Sequence, residues 1–248
     1  MYDIHATSET PMLIIYLIDV SLSMNEPMAG KTRLAVVSDA LEAVRTRMIW
    51  RSTKGSLIAS RYRVAMYPYS EQVYDVYEGI KSIAEIAKFP LPKLTAMRVT
   101  DTAKAFRHAK RILEQELPRM ANHPAPLVCH LTDGTFTGDD PEPPAREIMQ
   151  LEIPDGPVLV ENIFVSDDIL PEPVKDATCW PGVRPQTQLT NRYAIQLRRM
   201  SSPVPHSYRV MMEEMGYGIA QDAVMMFPGN SPGLLEMAFQ MSAATRTR

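Results

Sequence analysis

Cysteine is almost missing from this chain: Cys129 and Cys179 are the only two, and neither belongs to a Cys-x-x-Cys pair. This excludes a scaffold stapled by several disulfides and a cysteine-built zinc site. Cys129 lies in the apolar run Leu127-Val-Cys-His-Leu131 and reads as a buried thiol. Such usage suits a reducing cytoplasm. Strong charge is missing as well. A net charge of -3 gives no electrostatic footprint for nucleic acid, and Lys104, Arg107, Lys110 and Arg111 fall at helical spacing as a solvated face. No apolar run is long enough to cross a bilayer, and the polar residues 1–11 do not form a signal peptide, so a cytoplasmic protein with no membrane attachment is expected. A set of residues for enzyme chemistry does not assemble either. No Walker-type or Gly-x-Gly-x-x-Gly loop follows a predicted strand, and Asp19-Val-Ser-Leu-Ser23 lacks both glycines of a Gly-x-Ser-x-Gly elbow. An aspartyl-phosphate phosphatase would carry a second carboxylate two residues after Asp19, where Ser21 stands. These absences predict a protein that is not an enzyme.

What is present is a pattern of buried strands alternating with amphipathic helices. Met12 to Ile18 is an uninterrupted apolar run, as in a strand buried on both faces of a parallel sheet. Leu34, Val37, Leu41, Val44 and Met48 recur at steps of three and four and predict a helix. Tyr62 to Tyr67 reads as a strand, with Gln72 to Tyr77 as a hairpin partner at the sheet edge. A second helix starts near Asp101 or Thr102, carries Phe106, Ala109, Leu113 and Leu117 inward, and stops at Pro118. Leu127 to Leu131 is a further strand, residues 140–151 a helix with a proline-containing start, and Val158 to Val165 another strand. Residues 167–220 break the rhythm with six prolines up to Pro205, and read as an insertion with short helices at 192–199 and 207–215. A last strand at 223–227 and a helix from Pro232 close the chain. The expected fold is α/β: a single domain over 1–248, with a doubly wound, mostly parallel, Rossmann-like sheet, helices on both faces and one antiparallel edge strand.

Ligands of such sheets bind beyond the carboxyl ends of the strands. Asp19, Ser21 and Ser23 fall at that edge, as do the Thr100/Thr102 loop and Asp133. Two carboxylates and neutral hydroxyls suit a hard divalent ion such as Mg²⁺, which takes six oxygens and keeps several waters. Each residue alone has a plainer role as a helix cap or turn former. It is the combination that predicts a cation site.

These same segments resemble the von Willebrand factor A (VWA) family. Asp19-Val-Ser-Leu-Ser23 matches its metal-ion-dependent adhesion site (MIDAS), Val99-Thr-Asp-Thr-Ala-Lys-Ala-Phe106 resembles its threonine loop, and Leu131-Thr-Asp-Gly134 matches its aspartate loop. The resemblance implies Mg²⁺ or Mn²⁺ held by Ser21, Ser23 and a threonine, with Asp19 and Asp133 bound through water or directly. Thr100 is the preferred threonine, because Ala105 and Phe106 then fall on the family's helix contacts; Thr102 is the alternative. The chain departs from the family at Leu22, where glycine is usual, and at Arg98 and Val99, where small residues are usual. Arg98 would oppose a nearby cation. Asn191 to Pro205 and Phe227 to Glu236 further resemble bacterial VWA proteins of tellurite-resistance gene neighbourhoods, thought to act in stress or phosphorylation-linked complexes beside kinases and phosphatases.

The resemblance thus implies an adhesion domain whose protein partner supplies an acidic residue to the metal. A metal-independent scaffold that binds through the insertion is the alternative, and a metal-dependent hydrolase using Asp19 and Asp133 lacks an evident general base. Asp139, Asp140 and Glu142 are expected to stabilise a helix start, and His108 and His130 to be structural. Trp180 is expected to anchor the insertion, and most of the 17 methionines to fill the core.

Overall fold

A computed structural model of the protein describes residues 1–28 and 30–242. The helix expected from Pro232 therefore runs to the end of the described chain. Thirteen elements carry the architecture: β1 (Met12–Asp19), α1 (Arg33–Ser52), β2 (Tyr62–Tyr69), β3 (Lys81–Ser82), α2 (Ile83–Ile86), α3 (Thr102–Glu116), β4 (Leu127–Thr132), α4 (Glu142–Ile148), β5 (Leu159–Phe164), α5 (Arg192–Arg199), α6 (His206–Glu214), β6 (Met226–Pro228) and α7 (Pro232–Ser242). The sheet order is β6-β5-β4-β1-β2-β3. All neighbours are parallel except β2 and β3. Helices α1, α2, α6 and α7 group on one face, and α3, α4 and α5 on the other.

All eight residues of β1 are buried, which is why the strand reads as a continuous apolar run. It pairs with β2 on one side and β4 on the other. The strand order reverses between β1 and β4, so the crevice at their carboxyl ends is the topological switch point where such sheets bind ligands. On α1 the predicted stripe Leu34, Val37, Leu41, Val44 and Met48 is buried, and Thr32 caps the start by accepting from the Ala35 N–H at 3.1 Å. On α3, Asp101 caps by accepting from the Lys104 N–H at 2.9 Å, and Phe106, Ala109 and Leu113 face the sheet.

The antiparallel edge lies elsewhere than expected. Residues 72–77 lie along β2 without a regular ladder, through the bridge Tyr69↔Val73 and bonds from the Tyr74 N–H to the Pro68 carbonyl and from the Val76 N–H to the Met66 carbonyl. Pro68 has no N–H to extend a ladder. The chain then turns at Asp75, which accepts from the N–H groups of Tyr77 and Gly79, and the edge strand forms at Lys81–Ser82. The last strand also shifts, to Met226–Pro228, because Val224 is taken by bridges to Val183 and Pro203 of the preceding segment. Those bridges place the proline-punctuated segment along the last strand. Its helices fall at 192–199 and 206–214, and Trp180, buried, meets Phe227 edge-on at 6.1 Å. The helix predicted for 140–151 is shorter, Glu142–Ile148, since Leu151 turns back onto Ile148 ahead of Pro154.

Two buried carboxyls mark opposite extremes of satisfaction. Asp155 accepts from the N–H groups of Asp3, Ile4 and Ala125 at 2.9–3.0 Å, fastening the N-terminal segment to the domain. Glu161, fully buried on β5 beside Cys129 of β4, has no hydrogen-bond partner on either carboxylate oxygen among the described residues. Burial pushes its carboxyl well above the usual carboxylate range. Asp155→Ala is expected to cost about 2–4 kcal/mol in urea denaturation, because three N–H groups lose one acceptor. Glu161→Met is expected to stabilise by roughly 1–2 kcal/mol on the same measurement, since it replaces unsatisfied oxygens by apolar contact.

Candidate metal centre

The site is built from the carboxyl ends of the two central strands. Asp19, the last residue of β1, is fully buried. Its Oδ1 accepts from the Ser21 N–H at 2.8 Å and its Oδ2 from the Thr132 hydroxyl at 2.8 Å. Thr132 closes β4 and accepts in turn from the Gly134 N–H at 2.9 Å. Asp133 follows, buried, with Oδ1 taking the Thr135 N–H at 3.2 Å. Gly134 is required here: its φ is +84°, and a Cβ would lie 2.6 Å from the Phe164 ring and 2.7 Å from Tyr193 Cβ. The aspartate loop is thereby wedged between β5 and α5.

After β1 the chain makes a short 3₁₀ turn over Leu22–Asn25, which brings Ser21 Oγ to 3.0 Å from Ser23 Oγ. The third loop is seated beside it by the bridge Ser21↔Met97. Thr100 is buried on this loop, and its carbonyl accepts from both the N–H and the hydroxyl of Thr137, at 2.8 and 3.0 Å. Thr102, also buried, pairs its hydroxyl with the Tyr69 phenol at 3.3 Å. The two threonines therefore have different surroundings, and Thr102 is the one committed to the core.

Electrostatics give the cluster its character. Burial, reinforced by the Asp133 carboxylate, pushes the Asp19 carboxyl up to about 7, although the Ser21 and Thr132 bonds work against the rise. Arg33, at the first turn of α1, sets one guanidinium nitrogen 3.2 Å from Asp133 Oδ2 and 2.7 Å from a Glu26 carboxylate oxygen. Arg98, which the sequence suggested as the opposing cation, is exposed; Arg33 is the cation in contact with the cluster. Neither Arg33 nor Thr132 is picked out by the sequence patterns, although a cation in the first turn of a helix runs against the helix dipole and is a legible signal.

The donor set fits a small hard cation. Cis oxygens around an ion with bonds near 2.0–2.1 Å stand roughly 2.8–3.0 Å apart, and the two serine hydroxyls are 3.0 Å apart. Among the described residues no group of three His, Cys, Asp or Glu side chains forms a metal cage. The oxygens gathered here are instead two carboxylates and several hydroxyls, the mixture that leaves positions for water or an incoming ligand.

Behind the cleft runs a closed polar relay. Asn162 donates to the Met200 carbonyl and to Ser201 Oγ, so its Oδ1 accepts from His130 Nδ1 at 2.7 Å; Nε2 then accepts from the Tyr69 hydroxyl at 2.7 Å. Burial pulls His130 down to about 4, so it is neutral. An apolar groove of about 520 Å³ lies elsewhere, between α1 and α7, and none of the predicted site residues lines it.

No helix among the described residues is long and apolar enough to cross a membrane. No protein-family profile matches the sequence, and no curated protein matches it significantly. Solved structures match in fold. The conserved hypothetical protein BatB from Bacteroides thetaiotaomicron is 15% identical, over 93% of this chain and 96% of that one, with a TM-score of 0.52. The SpRpn10 VWA domain is 10% identical, over 96% of this chain and 100% of that one, with a TM-score of 0.50. At such identities the likeness speaks for architecture alone. With its mostly parallel central sheet, antiparallel edge strand and helices on both faces, the chain has the Rossmann-like fold of a VWA domain.

Proposed function

We propose that this protein is a non-enzymatic adhesion domain that docks a protein partner through a divalent cation. The ion, Mg²⁺ or Mn²⁺, is held by Ser21, Ser23 and Thr100, with Asp19 and Asp133 bound through water or directly, and an acidic residue of the partner completes the shell. The observation that carries this reading is the 3.0 Å pair of serine hydroxyls beside two buried carboxylates at the sheet's switch point. A divalent ion there relieves the repulsion between Asp19 and Asp133. The likeness of 191–205 and 227–236 to tellurite-neighbourhood proteins points to a bacterial stress or phosphorylation-linked complex as the setting.

The surroundings favour adhesion over hydrolysis. His130 is buried with both ring nitrogens engaged, and His108 packs edge-on against Tyr67 at 4.5 Å, so neither is placed to activate water at Asp133. A scaffold that uses only the segment at 167–220 has less support. That segment turns Trp180, Val183, Leu197, Val204 and Met212 inward.

Two measurements test the reading. Mn²⁺ at a hundredfold its dissociation constant is expected to add about 2.7 kcal/mol, raising Tm by roughly 5–10 °C over the chelated protein. The double variant Ser21→Ala/Ser23→Ala should lose that rise; an equal rise in the variant would place the metal elsewhere. The second measurement concerns pH. Asp19 titrates near 7 in the fold against 3.8 unfolded, so its penalty is absent below about pH 4, grows through neutrality and is full above 7. Asp19→Asn is therefore expected to stabilise the chelated protein by about 1–3 kcal/mol at pH 8 and not at pH 4, while weakening its response to Mn²⁺.

A further inference from the structure

Arg33 is an odd residue for its position. It opens α1, where the positive end of the helix dipole favours acidic side chains. Its side chain is only 15% exposed, and its Nε has no partner among the described residues. Burying a guanidinium with a donor unsatisfied is costly. What the placement provides is positive charge inside the cleft. One nitrogen, Nη1, faces Glu26 at 2.7 Å, Asp133 Oδ2 at 3.2 Å and the Ser23 carbonyl at 3.4 Å. It thus touches both the aspartate loop and the serine loop that supply the oxygen cluster.

We propose that Arg33 is a resident cation of the cleft, which competes with the divalent ion for the Asp133 carboxylate and retreats onto Glu26 when the ion enters. The inference rests on the metal reading above and adds its regulation. The two carboxylates around Arg33 are unequal in the way an exchange requires. The Asp133 side chain is 1% exposed, whereas that of Glu26 is 58% exposed and makes the shorter contact. A small movement toward Glu26 keeps the guanidinium paired and leaves Asp133 free, with no charge stranded in the interior. Free domain then holds its metal weakly, and an arriving acidic ligand, which strengthens the ion's hold, tips the exchange.

The test is a Mn²⁺ titration of the full chain, followed by the loss of the free-ion EPR signal, in the wild type and in Arg33→Gln, Arg33→Lys, Glu26→Gln and Ser21→Ala/Ser23→Ala. Arg33→Gln should bind Mn²⁺ at least tenfold more tightly. Arg33→Lys, which keeps the charge, should stay close to wild type. Glu26→Gln removes the retreat position and should bind at least threefold more weakly. Serine-dependent binding in the wild type with equal or weaker affinity in Arg33→Gln overturns the inference and leaves the metal reading standing. The absence of serine-dependent binding in wild type and Arg33→Gln alike overturns both. Should circular dichroism find Arg33→Gln unfolded, Glu26→Gln decides alone, and an affinity equal to or above wild type overturns the proposal.

Discussion

Two carboxylates, Asp19 and Asp133, are carried into the protein at the carboxyl ends of adjacent parallel strands, and the local structure is organised around the charge they bring. Each oxygen is given a donor: the Ser21 N–H and Thr132 hydroxyl serve Asp19, and the Thr135 N–H and Arg33 serve Asp133. These bonds reduce the cost of burial without removing it, and Asp19 still titrates near neutrality. Of the two, Asp133 is the one paired with a cation, Arg33. The two hydroxyls of Ser21 and Ser23, at the spacing of neighbouring metal ligands, stand on the loop that leaves β1.

The rest of the fold holds this cleft still. The strands beneath it are buried along their length, so β1 and β4 deliver Asp19 and Thr132 from a packed sheet rather than from loops. Gly134 threads the aspartate loop between Phe164 and Tyr193, which couples the site to the segment that follows β5. The Tyr69–His130–Asn162 relay continues that coupling, ending on Met200 and Ser201 beyond α5. Every polar group in the relay has a partner, and this is the condition under which a buried polar network rigidifies a core instead of weakening it.

Much of this was legible in the amino-acid order. The run from Met12 to Ile18 announces a doubly buried strand because parallel strands have no solvent face. Leu34, Val37, Leu41, Val44 and Met48 announce α1 because one helical stripe meets the sheet. Asp19, Ser21, Ser23 and Asp133 are recognisable because their spacing after strands places oxygens at one edge, and the structure brings these four into one cluster. Thr100 is placed on the adjoining loop. Other features depend on tertiary contacts that no local pattern encodes. The edge strand moved to Lys81–Ser82 because Pro68, with no N–H, interrupts the ladder of residues 72–77 on β2, and the last strand moved because Val183 and Pro203 claim Val224. Thr132 and Arg33 acquire their roles only across 113 and 100 residues of sequence respectively, through bonds to Asp19 and Asp133.

As proposed, the oxygen cluster at the end of β1 and β4 is a cation site that the chain guards with its own guanidinium. Anomalous diffraction at the manganese edge, from crystals of the full chain equilibrated with Mn²⁺, tests it most directly. One strong anomalous peak is expected within bonding distance of Ser21 Oγ and Ser23 Oγ, with Arg33 withdrawn from Asp133 and resting on Glu26. A manganese peak found only at acidic groups elsewhere, with Arg33 still paired to Asp133 at saturating Mn²⁺, would contradict it.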